Sequence, residues 1–255
     1  MDHNQVARKD IAMLIEVIAT SVEDARIAEQ AGAGRIELVS GLAEGGVTPS
    51  YGLICGVLRA VTIPVHVMIR PHALSFQYDR YDLESMQEDI RVARGCGAVG
   101  IVVGALSADG DIDEEALLPL LREAEGLSVT FHRAFDETRS LEQSFRQLER
   151  LPGINRVLTS GGKPSVLEAA AEIRNLLALS RESQISILAG SGLGVDSLAA
   201  FIKQTGVSEV HMGTGVRVEG RVSAPLDADK VCAAVAIVNG LRQEASSRKG
   251  TLPEP

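Results

Sequence analysis

Short apolar runs rich in Val, Ile and Leu recur along the chain and alternate with longer amphipathic stretches. Eight of these runs are typical of β-strands, namely Leu14–Ile18, Arg35–Val39, Val65–Ile69, Val99–Val103, Ser128–His132, Asn155–Leu158, Ile185–Ala189 and Glu209–Met212. Their starts lie 21, 30, 34, 29, 27, 30 and 24 residues apart. Since a strand–helix–strand unit takes about 30 residues, each interval has room for one helix. The pattern predicts an α/β fold, a single (β/α)8 TIM barrel, with a doubly wound open sheet as the alternative.

The barrel is expected over residues 13–242, after a polar N-terminal extension at residues 1–12 and before a flexible C-terminal tail at residues 243–255. One predicted connection, Pro71–Tyr81, exceeds the usual loop length of about two to six residues. This loop holds two of the three Tyr and one of the five Phe. Aromatic residues in a long loop after a strand suggest a pocket wall or lid, and packing against neighbouring loops is the alternative.

Composition narrows the class of partner. The chain is 45% hydrophobic and only 3% aromatic, with no Trp, so the core must consist of aliphatic residues, as in parallel sheets buried on both faces. The net charge of −9 disfavours nucleic acid and anionic membranes as partners. No apolar run approaches the length of about 20 residues that a membrane span needs, and the polar N-terminus lacks a signal-peptide core, so a cytoplasmic location is expected.

Cysteine usage fits a reducing compartment. Cys55, Cys96 and Cys232 are odd in number, distant in sequence and predicted to lie in helical segments. All three are therefore expected to be free thiols that serve as small apolar residues. Whether the chain forms a homo-oligomer is left open by the sequence.

Several predicted strands carry polar residues where a barrel interior normally holds Val, Ile or Leu. Strand alternation assigns the following residues to the interior: Glu16, Glu37, His66, Arg70, Thr130, His132, Glu209 and His211. Isolated charges in an apolar core cost several kcal/mol, so these groups must pair with one another or bind a ligand. Their position near the C-terminal strand ends favours a functional site, and a salt-bridge network that holds the barrel in register is the alternative.

Glycine-rich turns follow the last strands and predict an anion site. Backbone N–H groups between the last two loops of a barrel often hold phosphate, and glycine lets the backbone approach it closely. The predicted anion-binding residues are Gly190, Ser191, Gly192, Gly213 and Thr214, with Ser160 and Gly161 after strand six as further donors.

Several motifs together resemble the CutC family, the copper homeostasis proteins. They are RIEL at residues 35–38, GGVTPS at 45–50, IPVH at 63–66, IRP at 69–71, VTFHRAFD at 129–136, RVLTSG at 156–161 and EVH at 209–211. The resemblance runs in order from about Leu14 to Leu241 and implies a cytoplasmic barrel linked by name to copper. It implies no particular reaction.

One departure from the family bears on copper. Relatives proposed to bind copper carry Cys just after the glutamates of the first two strands, and this chain has Ile18 and Val39 at those positions. Cu(I) prefers thiolate ligands, and both thiols are absent here. Copper is therefore suggested by the family resemblance only, and the residues themselves identify no cofactor.

Three functional hypotheses follow from these residues. The first is copper handling, with His66, His132, His211 and Met68 or Met212 as available ligands. The second is an enzyme acting on a small anionic or phosphorylated metabolite, with Glu16 or Glu37 as general acid/base and His132 as second proton carrier. Arg70 and Arg133 would clamp the anion, and Asp136 would orient His132 or Arg133. The third is a non-catalytic ligand-binding scaffold.

Overall fold

Eight parallel strands close into one barrel in which each strand pairs with its sequence neighbour and the last pairs with the first. The computed structural model describes residues 13–249, with side chains over residues 13–244. The strands are β1 (Leu14–Ala19), β2 (Arg35–Leu38), β3 (Val65–Met68), β4 (Gly100–Val103), β5 (Ser128–Phe131), β6 (Ile154–Thr159), β7 (Ser186–Gly190) and β8 (Glu209–Met212). The predicted (β/α)8 barrel is confirmed, and the open sheet is excluded.

Eight α-helices follow the strands in turn. They are α1 (Val22–Gln30), α2 (Tyr51–Ala60), α3 (Arg80–Cys96), α4 (Glu114–Glu123), α5 (Leu141–Arg150), α6 (Ala170–Ser180), α7 (Val195–Thr205) and α8 (Ala228–Lys249). Side-chain caps fix where many of them begin. Ser21, Asp113 and Ser140, for example, accept hydrogen bonds from first-turn N–H groups of α1, α4 and α5.

The apolar core lies between the barrel and its helices. Every second strand residue points outward into this layer, among them Val17, Leu38, Val67, Ile101 and Phe131, which are all fully buried. The other strand face points into the barrel. The fold therefore draws its hydrophobic stabilisation from the outer face of the sheet and leaves the inner face free to carry polar groups.

The C-terminal end differs from the expectation. Helix α8 continues past residue 242 to Lys249, so the first part of the predicted flexible tail is helical. A salt bridge from Lys203 of α7 to Glu244 at 3.4 Å joins this extension to the neighbouring helix. The predicted extension at residues 1–12 and the last residues of the tail, 250–255, lie outside the described residues.

The prediction of three free thiols was wrong for two of them. Cys55 in α2 and Cys96 at the end of α3 form a disulfide, with Cα atoms 5.5 Å apart. The residues are 41 positions apart in sequence, and only the packing of α2 beside α3 brings them together. Cys232 is free and exposed on α8. In the described part of the chain, no helix has the length and apolar character needed to cross a membrane.

Candidate functional site

A network of alternating positive and negative side chains crosses the interior of the barrel below its C-terminal mouth. The Arg35 guanidinium pairs with the Glu16 carboxylate and with Glu209 at 2.8 Å. Arg156 pairs with the same Glu209 at 2.6 Å. Two guanidinium groups and two carboxylates thus neutralise one another. We call these four residues the barrel floor. For this part of the interior, the structure therefore shows the salt-bridge network that was the alternative to a functional site.

Two histidine rings fit inside the barrel because β4 and its C-terminal end supply glycine. A Cβ at Gly100 would lie 2.4 Å from the His66 ring, and one at Gly104 would lie 2.5 Å from the His132 ring. Any larger residue would clash with these rings. His66 also lies 3.5 Å from the Thr130 hydroxyl, deep in the interior.

Above the floor, one imidazole stands between two buried carboxyl groups. His211 Nδ1 lies 2.7 Å from Glu16 Oε1, and its Nε2 lies 3.9 Å from Glu37 Oε2. Glu37 Oε1 is buried and, among the described residues, has no hydrogen-bond partner. The three side chains can each present a ligand atom within 4.8 Å of the others, a spacing that a metal ion could use.

Burial and neighbouring charges separate the two carboxyl groups in acidity. Burial alone would raise the pKa of Glu16, but Arg35 and then His211 outweigh it and hold the pKa far below its usual value. Glu37 has no ion pair with an arginine of the described chain, and burial outweighs the attraction of His211, so its pKa is raised to about 7. Burial would lower the pKa of His211, but attraction to Glu37 and the hydrogen bond to Glu16 raise it. Glu37 is therefore the carboxyl group able to exchange a proton near neutral pH.

A cavity of about 420 Å³ opens at the C-terminal end of the strands, and we call it the mouth cavity. Its polar lining includes Glu37, Arg70, His132 and His211. Arg70 is 7% exposed, and its Nη1 donates to the carbonyls of Glu44 and Gly46, both at 3.1 Å. Within the described chain, no carboxylate lies within 4.0 Å of the Arg70 guanidinium, and its Nε has no partner. Arg70 is thus a buried cation without a counterion.

The long loop after β3 forms one wall of the cavity through Phe76. The Phe76 ring lies 4.6 Å from the Arg70 guanidinium carbon and 4.9 Å from the centre of the His132 ring. Burial, and then the nearby Arg70 charge, lower the pKa of His132 to about 3, so the ring is neutral. Its Nδ1 accepts from Ala134 N–H at 3.2 Å, which leaves the proton on Nε2, an atom without a partner in the described structure. The wall predicted for this loop is thereby assigned to Phe76.

Arg133 and Asp136 pair with each other at the edge of the cavity. Arg133 Nε donates to Asp136 Oδ2 at 2.9 Å, and the Arg133 side chain is 43% exposed. Asp136 also accepts from the backbone N–H of Ser160 at 2.9 Å. Asp136 therefore orients Arg133, one of the two partners expected for it, and neutralises its charge.

The turn after β6 does not supply free anion donors. Ser160 N–H and its hydroxyl donate to Asp136, and Gly161 N–H donates to the Thr159 hydroxyl at 2.8 Å. Neither Ser160 nor Gly161 lines the mouth cavity. The Ser160 donors that the sequence suggested for an external anion hold the carboxylate of Asp136 instead, and the Gly161 N–H is occupied within the turn.

The two later glycine turns meet at the cavity. Ser191, Gly192, Gly213 and Thr214 line it, whereas Gly190 ends β7 behind the His211 side chain. A Cβ at Gly215 would lie 2.0 Å from the Leu193 carbonyl oxygen, so this glycine is required where the two turns pack together. Ser191 has a positive φ of 78°, a backbone conformation that non-glycine residues rarely adopt. Strain of this kind is concentrated at functional sites.

Two interior residues, Arg35 and Arg156, were not predicted. The signal was present, because Arg35 precedes Glu37 by two positions and therefore points to the same face of β2. Arg156 lies opposite Thr130 in the ladder between β5 and β6. Treating β2 and β6 with the same alternation as the other strands would have found both.

Sulfur ligands are scarce near the cavity. Ile18, Val39, Met68 and Val102 pack into one buried apolar cluster inside the barrel, and Ile18 and Met68 also line the cavity. Met212 belongs to the outer core between barrel and helices. The Met68 thioether is thus the soft donor among the described cavity-lining residues, and the thiolates that a Cu(I) site prefers are not there. The donor set does not fit Cu(I).

Comparisons with known proteins agree with the motifs. The model of the CutC family matches residues 13–216. A CutC family protein of Pasteurella multocida (strain Pm70) is 44% identical over 206 residues, covering 80% of this chain and 84% of that relative. A mouse copper homeostasis protein cutC homolog is 44% identical over 198 residues, covering 78% of this chain and 72% of that relative. A crystal structure of the Streptococcus agalactiae copper homeostasis protein CutC superposes with a TM-score of 0.74 at 32% identity, over 83% of this chain and 100% of that one.

Proposed function

The chain belongs to the CutC family, and we propose that the mouth cavity of its barrel is an enzyme-like site. It binds a small anionic metabolite and exchanges a proton with it through Glu37. The observation that carries this proposal is Arg70, a buried guanidinium whose hydrogen bonds go to backbone carbonyls and not to a carboxylate of the described chain. An uncompensated buried charge is strongly unfavourable, so an anionic ligand would supply the missing partner.

The proton-transfer role rests on the pair Glu37 and His211. A general acid or base works best when its pKa lies near the working pH, and the pKa of Glu37 is raised to about 7 by burial. His211, 3.9 Å away, is held in place by Glu16 through its other ring nitrogen. Glu16 is therefore a positioning residue, since its carboxylate is occupied by Arg35 and His211. Glu37, whose Oε1 has no partner in the described structure, is left to meet the substrate.

The experiment is an affinity-selection measurement on pooled metabolites, with retained compounds identified by mass spectrometry. The wild-type protein should retain an anionic compound, and Arg70→Gln should lose it. Glu37→Gln should still retain it but should not convert it or exchange its protons with solvent. Retention of neutral compounds alone, or equal retention by Arg70→Gln, would contradict the proposal.

Metal binding is the second candidate, because relatives are named copper homeostasis proteins and Glu16, Glu37 and His211 converge. Two features weigh against this trio. Glu16 is already bonded to Arg35 and His211, and a metal would compete with the proton on His211. The same affinity selection with copper and other divalent ions, read by elemental analysis, tests this candidate. Stoichiometric metal that disappears in Glu37→Gln would support it over the metabolite.

A further inference from the structure

The charges around the mouth cavity leave one cation uncompensated. Arg133 is paired with Asp136, and His211 lies between Glu16 and Glu37. Tyr78, which lies near Arg70, cannot serve as a counterion, because burial raises its pKa to about 12. Arg70 is therefore the single cavity cation among the described residues that still needs an anion.

A single uncompensated cation matches a monoanion better than a phosphate ester, which carries close to two negative charges at neutral pH. Glu44 and Glu137 line the same cavity and are exposed at its rim, so they would repel a second negative charge. The Arg70 nitrogen Nη1 is committed to the carbonyls of Glu44 and Gly46. The buried Nε–H has no partner in the described structure and can donate to a carboxylate oxygen, an arrangement that Arg–carboxylate pairs commonly use.

Two more unpartnered atoms constrain the rest of the ligand. His132 Nε2–H is a buried donor without an acceptor in the described structure, and Phe76 lies against both His132 and Arg70. The His132 Nε2–H group could donate to a ligand oxygen that lies close to the ligand's carboxylate. Glu37 Oε1, also unpartnered, calls for a hydroxyl or carbonyl group with which a proton can be shared.

From these three atoms we infer that the mouth cavity takes a short-chain hydroxy or oxo carboxylate, its carboxylate on Arg70 and its hydroxyl or carbonyl oxygen between His132 and Glu37. This inference rests on the proposed anion site and narrows it to one ligand class. The cavity volume of about 420 Å³ lies at the small end of the range for metabolite pockets, about 300–1,000 Å³. Part of the remaining wall is apolar, with Ile18, Leu42, Met68 and Leu158 among its residues, and can take a short carbon chain.

The test measures binding of three sets of probes by calorimetry at neutral pH. The carboxylates are pyruvate, D-lactate, L-lactate and D-glycerate. Lactamide and pyruvamide have the same shape without the charge. Inorganic phosphate, sulfate and glycerol 3-phosphate represent the alternative anions. Arg70→Gln is compared with Arg139→Gln, which makes the same charge change at an exposed pair with Asp111 away from the cavity lining. Melting curves establish that both variants are folded.

At least one carboxylate should bind with a Kd at least about tenfold lower than its amide, since a hydrogen bond between two charged groups is stronger than one to a neutral group. Arg70→Gln should weaken that binding by a similar factor, and Arg139→Gln should not. Binding of phosphate or sulfate that depends on Arg70, without carboxylate binding, would overturn the inference and leave the proposed anion site standing. If no anion binds, or if Arg70→Gln binds them all as wild type does, both the inference and the proposed function fail.

Discussion

Glu37 is the residue whose surroundings and role are most closely linked. Its carboxyl group is buried inside the barrel, and the charged groups that act on it are His211, Glu16 and Arg35. Burial is the largest influence and raises its pKa to about 7. The native state therefore holds this proton more tightly than the unfolded chain does. The resulting contribution to stability is complete below the ordinary pKa of 4.5 and is lost as pH rises through about 7.

Replacing Glu37 with Gln should remove this loss, because the amide resembles the protonated acid and cannot ionise. The variant and wild type should be similarly stable near pH 4.5. At pH 8 the variant should be more stable, by at most about 3 kcal/mol, the free energy that corresponds to the shifted pKa. His66 and His132, with pKa values lowered by burial, titrate alike in both proteins and cancel in the difference. His211 does not cancel, because its attraction to ionised Glu37 is lost in the variant, and this makes the gain at pH 8 smaller than the upper bound. Denaturant unfolding at several pH values gives that difference, and a flat difference between pH 4.5 and 8 would contradict the assignment.

At the scale of single elements, the loop after β3 forms part of the wall of the mouth cavity through Phe76. Phe76 covers His132 and Arg70, and burial is the largest cause of the lowered pKa of His132. Phe76→Ala should admit water and raise that pKa from about 3 toward its ordinary value of 6.5. Tyr81→Ala is the matched control, since Tyr81 is 72% exposed at the end of the same segment. A histidine titration by NMR measures both variants, and an unchanged pKa in Phe76→Ala would mean that the loop does not shield the site.

The strands were predictable from sequence because their signal is local. Each parallel strand is apolar on its outer face, so runs such as Val65–Met68 stand out, and the predicted strand bounds agree with the observed ones to within one residue. The end of α8 was missed because its sequence beyond residue 242 is polar, and contacts with α7 such as Lys203–Glu244 are tertiary. The Cys55–Cys96 disulfide was missed for the same kind of reason. It depends on the distance between two helices, which residue spacing does not encode.

The sequence predicted which residues belong to the candidate site better than it predicted which of them bond to one another. Alternation along the strands brought Glu16, Glu37 and His211 to the interior, and the structure joins them. Which carboxyl group would be neutralised could not be read from sequence. That outcome depends on Arg35 reaching Glu16 across the ladder between β1 and β2. The use of Ser160 by Asp136 likewise follows from loop geometry, because a serine after a strand can bind an external anion or a neighbouring side chain.

Viewed across the whole molecule, the interior divides into a self-paired floor and a mouth with unpaired groups. Arg35→Met should destabilise the protein by about 3–5 kcal/mol, because it leaves the buried carboxylate of Glu16 without its cation and the half-buried Glu209 with Arg156 alone. Arg70→Met should change stability by less than about 1 kcal/mol or stabilise the fold, since no carboxylate of the described chain loses a partner. The two substitutions delete the same group and differ only in location. Chemical denaturation of both variants checks the contrast, and equal losses would mean that the mouth is as structural as the floor.

The apolar cluster inside the barrel bears on whether the protein can bind copper. Ile18 and Val39, at the positions where some relatives carry Cys, pack with Met68 in one cluster inside the barrel. Thiols at both positions would therefore converge with the Met68 thioether, which gives the soft ligand set that Cu(I) prefers. Wild type, with aliphatic side chains there, should bind Cu(I) weakly.

The double variant Ile18→Cys/Val39→Cys should gain one tightly bound Cu(I) per chain, and adding Met68→Leu should weaken it. The matched control is Val17→Cys/Leu38→Cys, which places two thiols one residue earlier on the same strands, where the side chains point outward into the core. Competition with a chromophoric Cu(I) chelator under reducing, oxygen-free conditions measures all four proteins. Because the two double variants carry equal numbers of thiols, only the direction in which the side chains point distinguishes them. Equal copper uptake by both, or stoichiometric tight uptake by wild type, would show that copper binding does not depend on the interior cluster of the barrel.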